Sequence, residues 1–385
     1  MNDPLKKYRI RFRFWKNNRK LKREQDYYLK RFRQTGMIIP DDETLRSKLE
    51  KRFPHLITKA KGSMNIIALY HHYNWENEAF KPSLEKFGLV RHYDWFNDFD
   101  YQHKDWHKSM KAKINLELIN QVNNWMNESR ADVIFSYLSG ELVEPETLRA
   151  IRKHGVPMIN LALNDKEHFI AKIKNGRAWG TRDICRYFDL CWTSTEDALV
   201  KYCVEGALPL YLPEGANPDI HKPYDVEKSI DVSFVGQCYG NRATVIDELK
   251  RRGINIVAYG TGWPNGPLPT EEMVRMYSRS KINLGFGGVA GHKNTFCLKG
   301  RDFEIPMSGG LYMTEDHPEL AVAFRLGEEI ITYFSLEDLV MKIKYYLTHP
   351  LEAEAIRKKG YDRALKDHSW EMRFEKIFHI LGLLR

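Results

Sequence analysis

The hydrophobic positions between residues 64 and 212 predict short strands that alternate with helices. Apolar runs typical of strands cover 64–70, 89–93, 132–138, 156–163, 190–194 and 208–212. Helical patterns lie between them, most clearly at 113–129, 145–154 and 195–204. Because nearly continuous apolar runs are typical of strands covered on both faces, this alternation predicts a parallel sheet flanked by helices.

A second alternating series starts after residue 230 and predicts another domain of the same kind. Its strands are predicted at 231–236, 254–260, 282–286, 309–314 and 328–334, and helices follow at 336–347, 351–366 and 370–382. The segment PEGANPDIHKPYD at 213–225 is rich in turn-forming residues and marks a boundary. We therefore predict an N-terminal domain at 61–215 and a C-terminal domain at 216–368, after a helical extension at 1–60. The last helix, 369–385, either crosses back to the first domain or packs on its own.

The composition predicts a folded protein of a reducing compartment. Hydrophobic residues make up 43% of the chain, and no apolar run is long enough to cross a bilayer. The N-terminal segment lacks the apolar stretch of a signal peptide. The 5 cysteines show no CxxC spacing, which argues against a disulfide scaffold or a zinc finger. We therefore predict a cytoplasmic location.

The net charge of +9 originates in the N-terminal segment. Residues 1–36 contain 13 Lys and Arg against 3 Asp and Glu, and aromatic residues are interleaved among them. Such a segment could bind an anionic membrane surface at the inner face of the membrane. It could equally pack on the body of the protein or on a second copy in a homodimer. Nucleic acid is the weaker alternative.

Polar residues follow the first predicted strand, in the sequence HHYNWENEAF at 71–80. In parallel sheets the ligand crevice lies beyond the carboxyl ends of the strands. His72 and Glu78 are therefore the candidates for a general base that takes a proton from a hydroxyl group. A polar loop that caps the next helix explains the same residues. Asp98 and Asp100 form a DxD pattern, but no apolar strand precedes them and we interpret them as solvated surface.

The C-terminal domain carries the more specific pattern. FVGQCYGNR has the strand, glycine, loop and helix layout of a phosphate site, and Gly236 is its glycine. In GHKNTFCLKGRDFEIPMSGG, Lys299 and Arg301 stand beside a helix start, and Glu304 falls three residues after Arg301. Two cations there suit a diphosphate, and a carboxylate can accept two hydrogen bonds from a ribose diol. An Arg–Glu pair on the surface is the alternative interpretation.

A loop after the next strand completes the predicted donor site. Tyr259, Gly260 and Trp263 are predicted neighbours of a nucleobase, although a place in the core explains Trp263 equally well.

The segments LKGRDFEIPMSGGLYMTED and EEIITYFSLEDLVMKIKYYLTHPLEAEAIRKKGYDRALKDHSWEMRF resemble glycosyltransferases typified by the spore maturation protein CgeB. The resemblance is strong over residues 185–383 and thin over 64–184. It implies an α/β GT-B fold, with two Rossmann-like doubly wound domains facing each other across a cleft. It also implies that Glu304 binds the donor ribose and that Arg242 and Lys299 bind the diphosphate, with Arg301 close by. More distant GT-B proteins have a second acid where this chain has Phe296.

The resemblance implies transfer of a sugar from a nucleotide-sugar donor to a hydroxyl acceptor on a glycan, lipid or protein. UDP is favoured as the nucleotide and GDP stays open. The reaction is expected to need neither metal nor cofactor and, by analogy with related groups, to retain the anomeric configuration. Two alternatives stay open, namely another GT-B enzyme such as an epimerase or hydrolase, and a non-catalytic scaffold that docks through its basic arm.

Overall fold

The computed structural model describes residues 6–72 and 76–385, and these divide into two compact units. The N-terminal unit comprises Leu21–Pro213 and Arg373–Arg385. The C-terminal unit comprises Glu214–Met372 together with the described residues 6–20.

The N-terminal unit is built on a six-stranded parallel sheet. Its order is β2-β1-β3-β4-β7-β8, and a two-stranded antiparallel hairpin, β5-β6, lies outside it. The strands are β1 (Met64–Leu69), β2 (Gly88–Tyr93), β3 (Val133–Ser136), β4 (Met158–Ala162), β5 (Ile173–Lys174), β6 (Arg177–Ala178), β7 (Leu190–Thr193) and β8 (Pro209–Tyr211). Every residue of β3, β4 and β7 is buried, which explains why their sequences are apolar without alternation.

Helices cover this sheet, and two of them begin where the sequence supplies a start signal. They are α2 (Asp42–Arg52), α3 (Lys81–Glu85), α4 (Lys111–Glu128), α5 (Pro145–Arg152), α6 (Asp165–His168) and α7 (Leu199–Val204), while α1 (Lys6–Gln34) belongs to this unit only from Leu21 onward. Asp41 caps α2 by accepting a hydrogen bond from the Thr44 amide at 2.8 Å, and α5 begins with a proline. The predicted helix at 195–204 is in fact a short 3-10 turn followed by α7.

The C-terminal unit has a five-stranded parallel sheet in the order β10-β9-β11-β12-β13. Its strands are β9 (Ile230–Val235), β10 (Ile256–Tyr259), β11 (Ser280–Leu284), β12 (Tyr312–Glu315) and β13 (Ile331–Tyr333). Its helices are α8 (Arg242–Arg251), α9 (Thr270–Arg279), α10 (Gly300–Met307), α11 (Leu320–Ala323), α12 (Leu336–Thr348) and α13 (Pro350–Asp367). Two parallel sheets with helical crossovers confirm the predicted α/β architecture.

The last helix, α14 (Trp370–Ile380), joins the N-terminal unit from Arg373 onward. There the Phe374 ring packs at 4.9 Å from Phe80 and 5.8 Å from Trp192, measured between ring centroids. After the helix, the Leu383 carbonyl accepts a hydrogen bond of 2.7 Å from the Lys59 amide. The closing segment is therefore part of the N-terminal core. Among the described residues, no helix has the length and apolar character needed to span a bilayer.

Candidate functional site

Two glycines at neighbouring strand ends shape the first part of the site. Gly236 follows β9 and Gly260 follows the adjacent β10, and both have positive φ, +155° and +127°. A Cβ on Gly260 would lie 2.3 Å from the Gly236 carbonyl oxygen. A Cβ on Gly236 would lie 2.3 Å from Nη2 of Arg301. Both positions therefore require glycine, and the space beside Gly236 is taken by a guanidinium group.

Arg242 lies at the start of α8 and is buried. Its guanidinium donates to the Gln237 carbonyl and to the Tyr239 hydroxyl, both at 2.8 Å. The guanidinium carbon also stands 3.8 Å from the centre of the Tyr239 ring. Burial and the neighbouring Arg301 lower the pKa of Arg242 to about 10. The side chain keeps its positive charge at neutral pH, and it is held by neutral groups.

Arg301, in the first turn of α10, is the second buried guanidinium. Its central carbon lies 5.4 Å from the Phe234 ring centre. Within the part of the chain that is described, its buried Nε and Nη1 atoms find no hydrogen-bond acceptor. Buried donors without acceptors cost free energy, and more so when they are charged. Because most buried polar groups in folded proteins are hydrogen-bonded, these donors indicate a place for an anionic ligand.

The start of α10 is held by Asp302, and Lys299 stands two positions before Arg301 there. Asp302 is buried and accepts a hydrogen bond of 2.7 Å from the Lys299 amide. It also accepts one from the Tyr312 hydroxyl on β12. Burial raises the pKa of Asp302, and these hydrogen bonds oppose the rise. The Lys299 ammonium lies 3.2 Å from the Cys297 sulfur.

Glu304 is buried on α10 and folds back toward the beginning of the helix. A Cβ on Gly300 would lie 2.9 Å from Oε1 of Glu304 and 3.2 Å from Oε2 of Glu214. The two carboxylates therefore stand against the same glycine, and both residues are less than a tenth exposed. The alternative of an Arg–Glu pair on the surface is wrong, since Glu304 is buried and solvent does not reach Nε and Nη1 of Arg301. Sequence reasoning missed Glu214, which lies 90 positions before Glu304 in the boundary segment.

The other predicted donor-site residues have structural contacts of their own. The Trp263 indole donates to the Gly236 carbonyl at 2.8 Å and packs on the core at 6.0 Å from the Phe234 ring centre. Tyr259 is half-buried and packs against the hydrophobic core of its unit. Phe296 stacks on His317 with 5.6 Å between ring centroids. An aromatic pair therefore occupies the position for which the resemblance implies an acid in more distant GT-B proteins.

In the N-terminal unit, the ends of β1 and β2 bring two histidines to one carboxylate. Leu69 pairs with Tyr93, so the residues that follow each strand are neighbours. Nδ1 of His71 lies 2.9 Å from Oδ1 of Asp94, and Nδ1 of His72 bonds to Oδ2. Because a carboxylate only accepts, each Nδ1 carries the proton. Nε2 is then the basic atom of each ring, and the His72 side chain is 36% exposed.

Asp94 is the central residue of this cluster, and sequence reasoning missed it. Burial raises its pKa, but the hydrogen bonds from His71 and His72 outweigh burial, so its pKa lies below the ordinary value. The carboxylate is therefore ionised at neutral pH and can stabilise a protonated imidazole. The ligand atoms of the three side chains lie within 4.8 Å of one another, so the cluster also has the donor types to hold a divalent metal ion.

The remaining predicted residues of the N-terminal unit stand apart from this cluster. Glu78 is exposed on the turn Glu76–Phe80, and no described hydrogen bond or ion pair joins it to the histidines. Residues 73–75 of the predicted loop lie outside the described part of the chain. Asp98 accepts from the Tyr93 hydroxyl at 3.0 Å and Asp100 from the Gln102 amide at 2.8 Å.

Comparison with known proteins points to one class of enzyme. Residues 242–379 match the model of a family described as glycosyl transferase-like. Sucrose-phosphate synthase from Thermosynechococcus elongatus has a similar structure, with a TM-score of 0.56, 9% identity, and coverage of 82% of this chain and 99% of that chain. The Anabaena protein Alr3699/HepE in complex with UDP-glucose gives a TM-score of 0.55, 11% identity, and coverage of 84% and 100%. No curated protein matches the chain by sequence.

The fold of this chain is therefore GT-B, as predicted, with two Rossmann-like parallel sheets. The matched segment starts at Arg242 and includes Lys299, Arg301 and Glu304. Together, the segment and the fold support a glycosyltransferase.

Proposed function

We propose that this chain transfers a sugar from a UDP-sugar to a hydroxyl group of a glycan, glycolipid or glycoprotein. The glycosyl transferase-like segment and the GT-B fold support nucleotide-sugar transfer in general. The choice of UDP is supported by HepE, which has the same fold and is described in complex with UDP-glucose. We also propose that the chain is of the CgeB-like subtype, because the segment LKGRDFEIPMSGGLYMTED resembles that group.

The observation that carries the proposal is the buried Arg301 beside Arg242. Nε and Nη1 of Arg301 lack acceptors among the described residues, and the two guanidinium groups repel each other. A diphosphate supplies acceptor oxygens and negative charge to both. Cleavage of the sugar–phosphate bond leaves further negative charge on those oxygens. Fixed cations in a buried place stabilise such charge without reorganisation, so the same groups serve binding and catalysis.

The carboxylates of Glu304 and Glu214 are proposed to bind the ribose. A ribose diol presents two hydroxyl donors, and ionised carboxylates are its strongest acceptors among side chains. The loop with Tyr259, Gly260 and Trp263 is proposed to border the nucleobase. Trp263 uses its indole N–H on Gly236, so its contribution would come from the ring.

The proton of the acceptor hydroxyl is proposed to pass to Nε2 of His72. The bond from Nδ1 of His72 to Asp94 orients the ring and makes Nε2 the atom that can accept a proton, which is the arrangement a general base needs. Glu78 remains a weaker candidate for this role. We propose that transfer needs no metal, because the cations named above can neutralise the leaving group. Retention of the anomeric configuration is proposed by analogy with related GT-B groups alone.

Titration calorimetry with UDP, GDP and UDP-sugars tests the donor site, first in EDTA and then with magnesium. We expect UDP to bind in EDTA and to raise the melting temperature of the unmodified chain. Arg301→Met should weaken UDP binding about 100-fold, since charge-assisted hydrogen bonds to two donors are lost. The matched control is Arg279→Met, an exposed arginine of the same unit.

Three results would contradict the proposal. Equal UDP affinity in the Arg301 and Arg279 variants would remove the diphosphate assignment. Binding only with magnesium would contradict metal independence. Absence of binding for every nucleotide would favour a non-catalytic scaffold.

A further inference from the structure

Helix α1 has one face that packs on the protein. Asn17 donates to the Gly291 carbonyl at 2.8 Å within the C-terminal unit. In the N-terminal unit Leu21 is buried, Glu24 pairs with the Lys201 ammonium at 2.8 Å, and the Tyr28 hydroxyl donates to Glu205 at 2.7 Å. These four helix positions are spaced by four, three and four residues, so they lie on one face of the helix.

The opposite face of the same helix carries an exposed aromatic stripe. Tyr8, Phe12 and Trp15 are 68%, 64% and 55% exposed, and they are spaced by four and three residues. Half a turn separates this stripe from the packing face. The Phe12 and Trp15 rings stack with 5.8 Å between centroids, and the Arg19 guanidinium stands 5.1 Å from the Trp15 ring centre.

The charge around the stripe is strongly positive. Between Lys6 and Lys20 the helix has 8 Lys and Arg and no Asp or Glu. Arg11 and Arg19 are exposed and border the stripe. Large aromatic rings on the surface are costly to hydrate, and cations beside them attract anionic groups.

We propose that this face, defined by Tyr8, Phe12, Trp15, Arg11 and Arg19, binds the surface of an anionic lipid bilayer. The helix would lie in the plane of the interface, with the rings at the headgroup level and the cations among lipid phosphates. Nucleic acid fits less well, because base stacking needs accessible ring faces. Phe12 and Trp15 already stack on each other, and Arg19 stands over Trp15. Partition into an interface needs only exposed apolar area.

Flotation of the full-length chain with lipid vesicles tests the inference without any nucleotide or acceptor, so its result is independent of the proposed function. We expect binding to vesicles of phosphatidylcholine with phosphatidylglycerol, and weak binding to phosphatidylcholine alone. The double variant Phe12→Ser/Trp15→Ser should reduce binding at least tenfold. The matched control is Phe334→Ser, which changes a 77% exposed aromatic residue in a different segment.

A second pair of variants tests the charge. Arg11→Gln/Arg19→Gln should weaken binding to anionic vesicles at least tenfold, because each cation near such a surface contributes substantially. Lys250→Gln/Lys344→Gln removes the same charge from other exposed positions and should change binding little. Circular dichroism and the melting temperature verify that each variant is folded.

The inference would be overturned if the unmodified chain did not bind anionic vesicles. It would equally be overturned if both stripe variants bound as well as their controls. Stripe-dependent binding of a single-stranded RNA without vesicle binding would assign the face to nucleic acid. A stripe-dependent dimer in sedimentation, again without vesicle binding, would assign it to a second copy of the chain.

Discussion

The ends of the two parallel sheets carry opposite chemistry. Around β9 and α10 of the C-terminal unit stand cations that are charged at any physiological pH, Arg242, Lys299 and Arg301. At the ends of β1 and β2 in the N-terminal unit stand two histidines on one carboxylate, His71 and His72 on Asp94. The same architecture thus offers a permanent positive charge in one unit and exchangeable protons in the other.

This difference shows that the fold supplies only the place for a site. Parallel strands end at one edge, and the residues that follow them meet there whatever their type. Permanent cations suit a ligand whose charge does not change, such as a diphosphate. A histidine held by a carboxylate suits a group that gives up a proton. Substitutions that remove diphosphate binding should therefore leave proton transfer intact, and substitutions that remove proton transfer should leave diphosphate binding intact.

The largest effect is expected from His72→Ala. Donor turnover, measured as UDP release, should fall about 100-fold or more because the proton acceptor is lost. UDP affinity measured by calorimetry should stay unchanged, because His72 lies in the unit without the cation cluster. The control is His55→Ala, an exposed histidine of the N-terminal unit. Unchanged turnover would remove His72 from the mechanism, and turnover that EDTA abolishes would indicate a metal on His71, His72 and Asp94.

Arg242→Met is expected to have a smaller effect, which falls on UDP binding and not on proton transfer. UDP binding should weaken about 30-fold, since one buried guanidinium is lost from the diphosphate site. The protein should stay folded, because the methionine can pack against the Tyr239 and Phe234 rings that now surround the guanidinium. The exposed Arg279→Met variant serves again as the reference. Full UDP affinity in the Arg242 variant would show that the cations have only a structural role.

The ribose contact should be worth less than a phosphate contact. Glu304→Gln keeps the shape but replaces one acceptor oxygen by an amide donor, and we expect UDP binding to weaken by one or two kcal/mol, about tenfold. Glu328→Gln, on an exposed turn, is the control. If Glu214→Gln produces a similar loss, then both carboxylates that stand against Gly300 bind the ribose. An unchanged affinity in both variants would refute the assignment.

The sequence alone predicts most of the fold and part of the site. The apolar runs identify both sheets because buried parallel strands are apolar on both faces. The cations around Gly300 are visible because they lie close together in one segment. Asp94 could not be found in this way because it is distant from His71 and His72 in sequence. It reaches them only through the pairing of β1 with β2. Glu214 reaches Gly300 through a fold contact that no local pattern encodes.

The smallest expected effect concerns stability and a second titratable group of the N-terminal unit. Asp165, which follows β4, is fully buried and accepts a hydrogen bond of 2.8 Å from the Tyr202 hydroxyl. Burial raises its pKa to about 7 from an ordinary value of 3.8. Between these two values the folded chain keeps a proton that the unfolded chain has lost. Its stability should therefore fall as pH rises through this range and level off above about pH 7.

Asp165→Asn should abolish this part of the pH dependence, because an amide stays neutral. Between about pH 6 and pH 8 the variant should gain about 1.4 kcal/mol in unfolding free energy relative to the unmodified chain, the worth of the one pKa unit between pH 6 and the pKa of about 7. Urea unfolding at both pH values measures the difference. Asp247→Asn, an exposed aspartate, should show none. Parallel curves for the Asp165 variant and the unmodified chain would show that another group takes up this proton.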